Sequence, residues 1–201
     1  MEDIWKGIEA WLAVNAPELL DSLKPGATEA EIQETESFLG VSLPEDVKAF
    51  YRIHDGQWAW YDKPELEQVI SLYNLHRFLP LSRLREEWKI WLDVFENLEP
   101  EYQWVTLDSG ETIPTWSEKF IPLTSDGCGD AYFLDLSAVL LGGNVGQIIE
   151  NRKCNGLYPV ASSFRVWLEM FVADLEAGRY WYDGEIMVVA RYPDYRATTS
   201  N

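Results

Sequence analysis

Cysteine and histidine are both scarce in this chain, which holds two of each. Cys128 and Cys154 are too few for a disulfide framework and fit a reducing compartment. With His54 and His76 they form no closely spaced pair of the kind that zinc fingers or a His-Glu-x-x-His helix require, so no metal is expected. Basic residues are also in short supply, 16 against 34 acidic ones, for a formal charge of −18. The deficit runs along the whole chain rather than sitting in a tail. Such a field repels phosphate backbones and anionic lipid, which argues against nucleic-acid or membrane binding and favours plain solubility or a basic protein partner. Long apolar runs are missing: nothing approaches the roughly 20 residues of a membrane span, and the opening MEDIWKGIEAWLAV lacks an apolar core with basic flanks. The expected location is cytoplasmic. Internal repeats and low-complexity segments are absent as well. What the chain does have is 47% apolar residues, ten of its residues being tryptophan, and that excludes disorder despite the charge. At 201 residues it is long enough to bury a proper core, and a single domain over 1–195 with a loose tail at 196–201 is expected.

Periodicity divides the chain in two. Ile4, Trp5, Ile8, Trp11 and Leu12 recur at helical spacing and predict a helix over 3–14, ended by Asn15-Ala16-Pro17. Thr28-Glu29-Ala30-Glu31 is a capping box, so a helix over 28–39 follows, with Ile32, Thr35 and Leu39 inward and Gly40 as its left-handed stop. Pro44 suits the first turn of a further helix burying Val47, Phe50 and Tyr51, which His54-Asp55-Gly56-Gln57 breaks. Residues 58–81 give mixed signals and read as connection, with a short strand or helix possible over Val69–Leu75. A fourth helix begins near Ser82, with Glu86 and Glu87 in its first turns and Leu84, Trp88, Trp91, Leu92 and Phe95 beyond. From about residue 102 the pattern changes to short apolar runs bounded by Gly, Asp and Pro: 103–106, 119–123, 131–136 and 146–149. These are consecutive strands of a meander, punctuated by Asp126-Gly127 and Gly142-Gly143-Asn144. Ser162-Ser163 caps a last helix carrying Phe164, Trp167, Leu168, Phe171, Val172 and Leu175, which stops at Gly178. Helices, then sheet, then helix make the fold class α+β.

Asp126-Gly127-Cys128-Gly129-Asp130 is the segment most like a chemical site. A calcium loop would place oxygen ligands at alternate positions, and here the alternate position is Cys128. Acids on both sides of Cys128 disfavour the thiolate a nucleophile needs. Asp126 and Asp130 have the residue types of a glycosidase carboxylate pair, but in so acidic a chain such a pair arises by chance. The reading kept is a turn between strands. Gly142-Gly143-Asn144-Val145-Gly146 lacks the Lys-Ser or Lys-Thr that a phosphate loop carries. His54, beside Asp55 at a helix end, caps that helix, and no nucleophile accompanies the pair. No catalytic set, cofactor or metal site emerges.

Glu36-x-x-Leu39-Gly40-Val41-Ser42-Leu43-Pro44-Glu45-Asp46-Val47-Lys48-Ala49-Phe50-Tyr51, running into His54-Asp55-Gly56-Gln57, resembles the amino-terminal signature of the SUKH superfamily, the Smi/Knr-type proteins. Phe120-Ile121-Pro122-Leu123, Asp126-Gly127-x-Gly129-Asp130, Leu134-Asp135-Leu136, Gly146-Gln147-Ile148-Ile149 and Ser162-Ser163-Phe164-x-x-Trp167-Leu168 resemble its second half in order, so the likeness covers about residues 5–178. It departs at His54, where the family commonly has Asn, and at Ser137-Ala138, where many members have a proline. The resemblance implies a central antiparallel sheet flanked by helices, used as a non-enzymatic protein-binding scaffold. It also implies a role either as an immunity-type protein that neutralises a secreted, nuclease-like toxin or as a regulatory scaffold of cell-wall assembly and glucan synthesis. The resemblance brings no catalytic residue, and a carboxylate hydrolase is a third alternative. A contact patch is expected at Asp55, Trp58, Trp60 and Asp62, where aromatics follow a helix end among acids in a segment without clear regular structure. Packing of both tryptophans over the helices is the competing expectation.

Overall fold

The computed structural model describes residues 1–58, 62–63, 71–73, 75–106, 110, 112–137, 144–153 and 156–182, and the backbone of 188–190. Trp60, Val69, Gly142-Gly143, Cys154 and the tail at 196–201 lie outside the described residues.

Local rules build the helical half. Helix α1 (Glu2–Asn15) buries Ile4, Trp5, Ile8 and Leu12 along one face. Pro17 does not simply end it: after one non-helical residue, Ala16, the proline occupies the first position of a short helix α2 (Pro17–Asp21), where its missing N–H is no loss. Helix α3 (Glu29–Leu39) carries the full capping box, Thr28 Oγ1 accepting from the Glu31 N–H and the Thr28 N–H donating to Glu31 at 2.7 Å, and stops at Gly40 with φ 66°. Helix α4 (Glu45–Ile53) starts one residue later than expected. Pro44 is its extended cap residue, with Val47, Phe50 and Tyr51 buried behind it.

After a two-residue strand β1 (Arg77–Phe78) comes α5 (Leu81–Glu96). It begins early enough that Glu86 and Glu87 fall in the second turn, and its first turn holds no acid. A 3-10 turn at Pro100–Tyr102 leads into the strands β2 (Trp104–Thr106), β3 (Thr112–Pro114), β4 (Phe120–Pro122), β5 (Thr124–Ser125), β6 (Ala131–Asp135), β7 (Gln147–Arg152) and β8 (Gly156–Ala161). Helix α6 (Phe164–Glu176), capped by Ser163, and strands β9 (Tyr180–Tyr182) and β10 (Val188–Ala190) complete the order.

The central sheet has the order β4-β6-β7-β8, every neighbour antiparallel. Strand β5 leaves the meander to pair with β1, while β2–β3 and β9–β10 form separate two-stranded ribbons. Pro122 and Pro159 sit on the two outermost strands, β4 and β8, where a missing ladder donor is tolerated. Strand β6 is buried at all five positions because both faces of the sheet are covered. Its side chains alternate: Tyr132 and Leu134 join Trp5, Phe50, Phe164, Trp167 and Phe171 from α1, α4 and α6, and Ala131 and Phe133 join Ile113 and Trp116 with Trp88, Trp91 and Phe95 of α5. The architecture is therefore α+β, an antiparallel sheet flanked by helices.

Candidate functional site

The Asp126–Asp130 segment is the turn between β5 and β6. Asp126 Oδ1 accepts from three successive backbone N–H groups, those of Cys128 at 2.8 Å and of Gly129 and Asp130 at 2.9 Å. Asp130 Oδ1 accepts from the Lys153 N–H at 2.8 Å. Gly127 and Gly129 hold φ of 76° and 110°, left-handed values that glycine adopts without strain. At Gly129 space adds to the demand, since a Cβ would stand 2.8 Å from the Lys153 side chain as it crosses to donate to the Cys128 carbonyl. The two carboxylates thus act on their own loop. Cys128 is exposed and free. Among the described residues no group of three or more His, Cys, Asp or Glu is placed to hold a metal, and no helix is long and apolar enough to cross a membrane.

The patch after α4 is built on a strand-like pairing of residues 54–58 with 22–27. Leu23 bridges Gln57, the Lys24 N–H donates to the Gly56 carbonyl at 3.0 Å, and the Trp58 N–H donates to Ser22 at 2.7 Å. This pairing brings Lys24 Nζ to 2.9 Å from Asp55 Oδ2 and to 5.0 Å from the centre of the Trp58 ring. The cation therefore joins two of the four expected contact residues. Asp55 itself is 8% exposed, and its Oδ1 accepts from the Leu81 N–H at 2.7 Å, which caps the start of α5. Trp58 is half-buried at the edge of the main core. Asp62 is exposed, next to Lys63, whose ammonium reaches the Asp21 carbonyl at 3.5 Å. Trp60 lies outside the described residues. Solvent at this patch meets the Trp58 ring and the Asp62 carboxylate, with Asp55 as the support beneath.

His54 caps α4 as expected. Its Nε2 lies 2.7 Å from Glu9 of α1 and its Nδ1 2.8 Å from the Lys24 carbonyl, so it ties α1 to the loop that carries the patch. Two residues matter here through contacts that the sequence pattern does not show. Lys24 is a lone base in a Lys-Pro-Gly turn. Gln57, fully buried, accepts from the Leu72 and Phe78 N–H groups at 3.2 and 3.1 Å and donates to Ser22 Oγ at 2.9 Å.

Comparison with known proteins bears on the same segments. The SMI1 / KNR4 family (SUKH-1) model matches residues 26–170, from the loop before α3 into α6. The chain is 29% identical to KNR4/SMI1 homolog 2 of Debaryomyces hansenii, over 91% of this chain and 37% of that protein. It is 27% identical to the glucan synthesis regulatory protein of Neurospora crassa, over 89% of this chain and 39% of the relative. It is 25% identical to the cell wall assembly regulator SMI1 of Saccharomyces cerevisiae, over 89% and 41%. The chain thus spans about two fifths of the length of the curated relatives it matches. Residues that carry the family likeness do structural work in this fold. Glu36 Oε1 accepts from the Leu43 N–H at 2.8 Å, and Asp46 Oδ2 accepts from the Arg165 N–H at 3.1 Å, which joins the start of α4 to the start of α6. With the ordered motifs, the fold they hold and a match over residues 26–170 in agreement, the chain belongs to the SMI1/KNR4 (SUKH-1) family.

Proposed function

We propose that this chain is a non-enzymatic protein-binding module that serves as a regulatory scaffold in cell-wall assembly and glucan synthesis. The observation that carries the reading is that relatives aligned over about nine tenths of the chain are named for regulating glucan synthesis and cell-wall assembly. The engagement of Asp126 and Asp130 by backbone N–H groups supports it, because the carboxylates that a hydrolase would use are holding their own turn. The proposed contact patch is Trp58 and Asp62, with Trp60 beside them in sequence and Asp55 holding the loop from below through Lys24. A half-buried tryptophan rimmed by polar groups has the composition of an interface anchor.

An immunity-type role, neutralising a secreted nuclease-like toxin, is the second reading. The −18 charge favours it, since a basic toxin would find a complementary field. Affinity capture from the source cells with the wild-type chain and with Trp58→Ala separates the two. Wall-synthesis or wall-signalling proteins held by the wild type and lost from the variant are the expected outcome. Capture of one basic toxin overturns the regulatory role in favour of immunity, and an identical set of partners on both chains removes Trp58 from the interface.

A further inference from the structure

Helix α5 is apolar over a wider arc than the sheet covers. Its inward residues Leu81 and Leu84 are buried, Trp88, Trp91, Leu92 and Phe95 pack partly buried against the sheet, and Ile90 and Val94 stand exposed. One flank is covered by α3: Arg85 donates to Thr35 Oγ1 at 3.2 Å and pairs with Glu34, and Phe38 meets the Trp88 ring edge-on at 5.8 Å. The opposite flank is not. Glu87, Ile90, Trp91 and Val94 recur at i, i+3, i+4 and i+7, so they share one stripe, with Ile90 and Val94 exposed by 55% and 46%. An apolar helix arc of this kind is normally covered.

Polar groups on this ledge also want partners. Trp91 Nε1 is buried beside the Glu87 carboxylate, whose charged form it favours without a hydrogen bond of full geometry, and Trp116 Nε1 in the layer beneath has no acceptor among the described residues. Glu87 is half-buried, and burial raises its carboxyl pKa; Arg83 and the Trp91 indole N–H oppose the shift, and Asp126 of the β5–β6 turn adds to it. Arg83, one turn earlier, makes its salt bridge to Glu86. Asp93 and Glu96 lie on other faces of α5 than Val94 but, with Glu99 and Glu101 beyond, make this end of the helix negative. A second copy of a chain with charge −18 would set like charges against these acids. An apolar-faced segment carrying Lys or Arg would cover Ile90 and Val94 and bring a cation to Glu87.

We propose that the outer flank of α5, the stripe Glu87-Ile90-Trp91-Val94, docks a basic amphipathic segment of a partner protein, packed helix-on-helix with its apolar residues on Ile90 and Val94. The proposal rests on the protein-binding reading above and adds to it a second surface and the chemistry of what sits there.

The probe is an amphipathic Leu/Lys peptide about five helical turns long, with a Leu/Glu peptide of the same pattern as control. Binding to the full chain is followed by calorimetry. The Leu/Lys peptide is expected to bind and the Leu/Glu peptide not to. Ile90→Ser combined with Val94→Ser should weaken binding by about tenfold or more. Both positions are exposed, so an unchanged unfolding midpoint verifies the fold. Glu87→Gln should weaken binding several-fold and reduce its dependence on salt, and Trp58→Ala should leave it unchanged. Equal binding to wild type and to the α5 variants overturns the proposal, as does a loss confined to Trp58→Ala. A concentration-dependent dimer abolished by the double serine variant overturns it too, by making the occupant a second copy. Peptide binding at α5 alongside a failed capture of wall proteins would sink the cell-wall role and leave this surface standing; the reverse result would sink this surface alone.

Discussion

His76 lies buried with its ring 4.8 Å from that of Tyr132 and its Nδ1 3.3 Å from the Thr124 hydroxyl. Burial lowers its pKa below the usual 6.5, and this outweighs the opposing pull of Asp126, Glu150 and Asp130. Between that lowered value and 6.5 the unfolded chain binds more protons than the folded one, so stability rises with pH across the window. The contribution is complete above 6.5 and is lost as pH falls toward the folded value. The Glu29, Glu31 and Glu45 carboxyls, held below 4.5 mainly by hydrogen bonds from Arg52, Thr28 and Arg52 respectively, lose their contributions at lower pH. Urea midpoints measured from about pH 8 to about pH 5 should therefore fall more steeply for the wild type than for His76→Gln, whose side chain cannot take up the proton. Parallel curves would mean that the imidazole has access to water. Gln57 is the uncharged counterpart. Three of its hydrogen bonds join the end of α2, residues 71–73 and β1, and removing Gln57 would leave the buried Leu72 and Phe78 N–H groups without their acceptor.

Helix starts in this fold are secured in two ways, and the two should differ in cost. The cap of α3 is local and exposed, Thr28 with Glu31, so Thr28→Ala should cost about 1 kcal/mol. The cap of α5 comes from Asp55, 26 residues away, and the same carboxylate pairs with a mostly buried Lys24. Asp55→Ala leaves both the Leu81 N–H and the Lys24 ammonium without their partner, and about 3 kcal/mol should be lost. Denaturant midpoints of the two variants check the order, and an Asp55→Ala cost no larger than that of Thr28→Ala would return Asp55 to the surface. This contrast also decides what the sequence could show. Helices α1, α3 and α6 are legible because their period, and for α3 and α6 the cap as well, lies within one segment, and so is the Asp126–Asp130 turn. Helix α2 hides behind a proline that reads equally as an ending. Strands β1 and β5 are two residues long and exist through each other, and β8, with Pro159 and an exposed Tyr158, shows no alternation. At the patch, the aromatics and acids were visible in the sequence. That Asp55 faces inward was not, because its partners are distant in the chain.

The whole molecule carries 18 more acids than bases, and that excess acts on stability and on binding with opposite signs. Self-repulsion of like charges destabilises the compact state. Attractive pairs such as Arg165–Glu169 at 2.8 Å oppose it, but exposed pairs of this kind contribute about 0–1 kcal/mol each and are screened by the same salt. With so large an imbalance, repulsion should outweigh the pairs. Raising ionic strength from about 10 mM to about 150 mM shortens the screening length from about 30 to about 8 Å. The thermal midpoint should then rise by a few degrees, since about 1 kcal/mol corresponds to about 2–4 °C for a chain of this size. Calorimetric scans in sodium chloride check the direction, and a falling midpoint would mean that the ion pairs dominate. The same screening removes the attraction for a basic segment at α5, so the Leu/Lys peptide should bind less tightly under the conditions in which the protein is most stable. Stabilisation by salt together with weakened binding traces both effects to one field, whereas salt-insensitive binding would place the energy in the apolar contacts of Ile90 and Val94 instead.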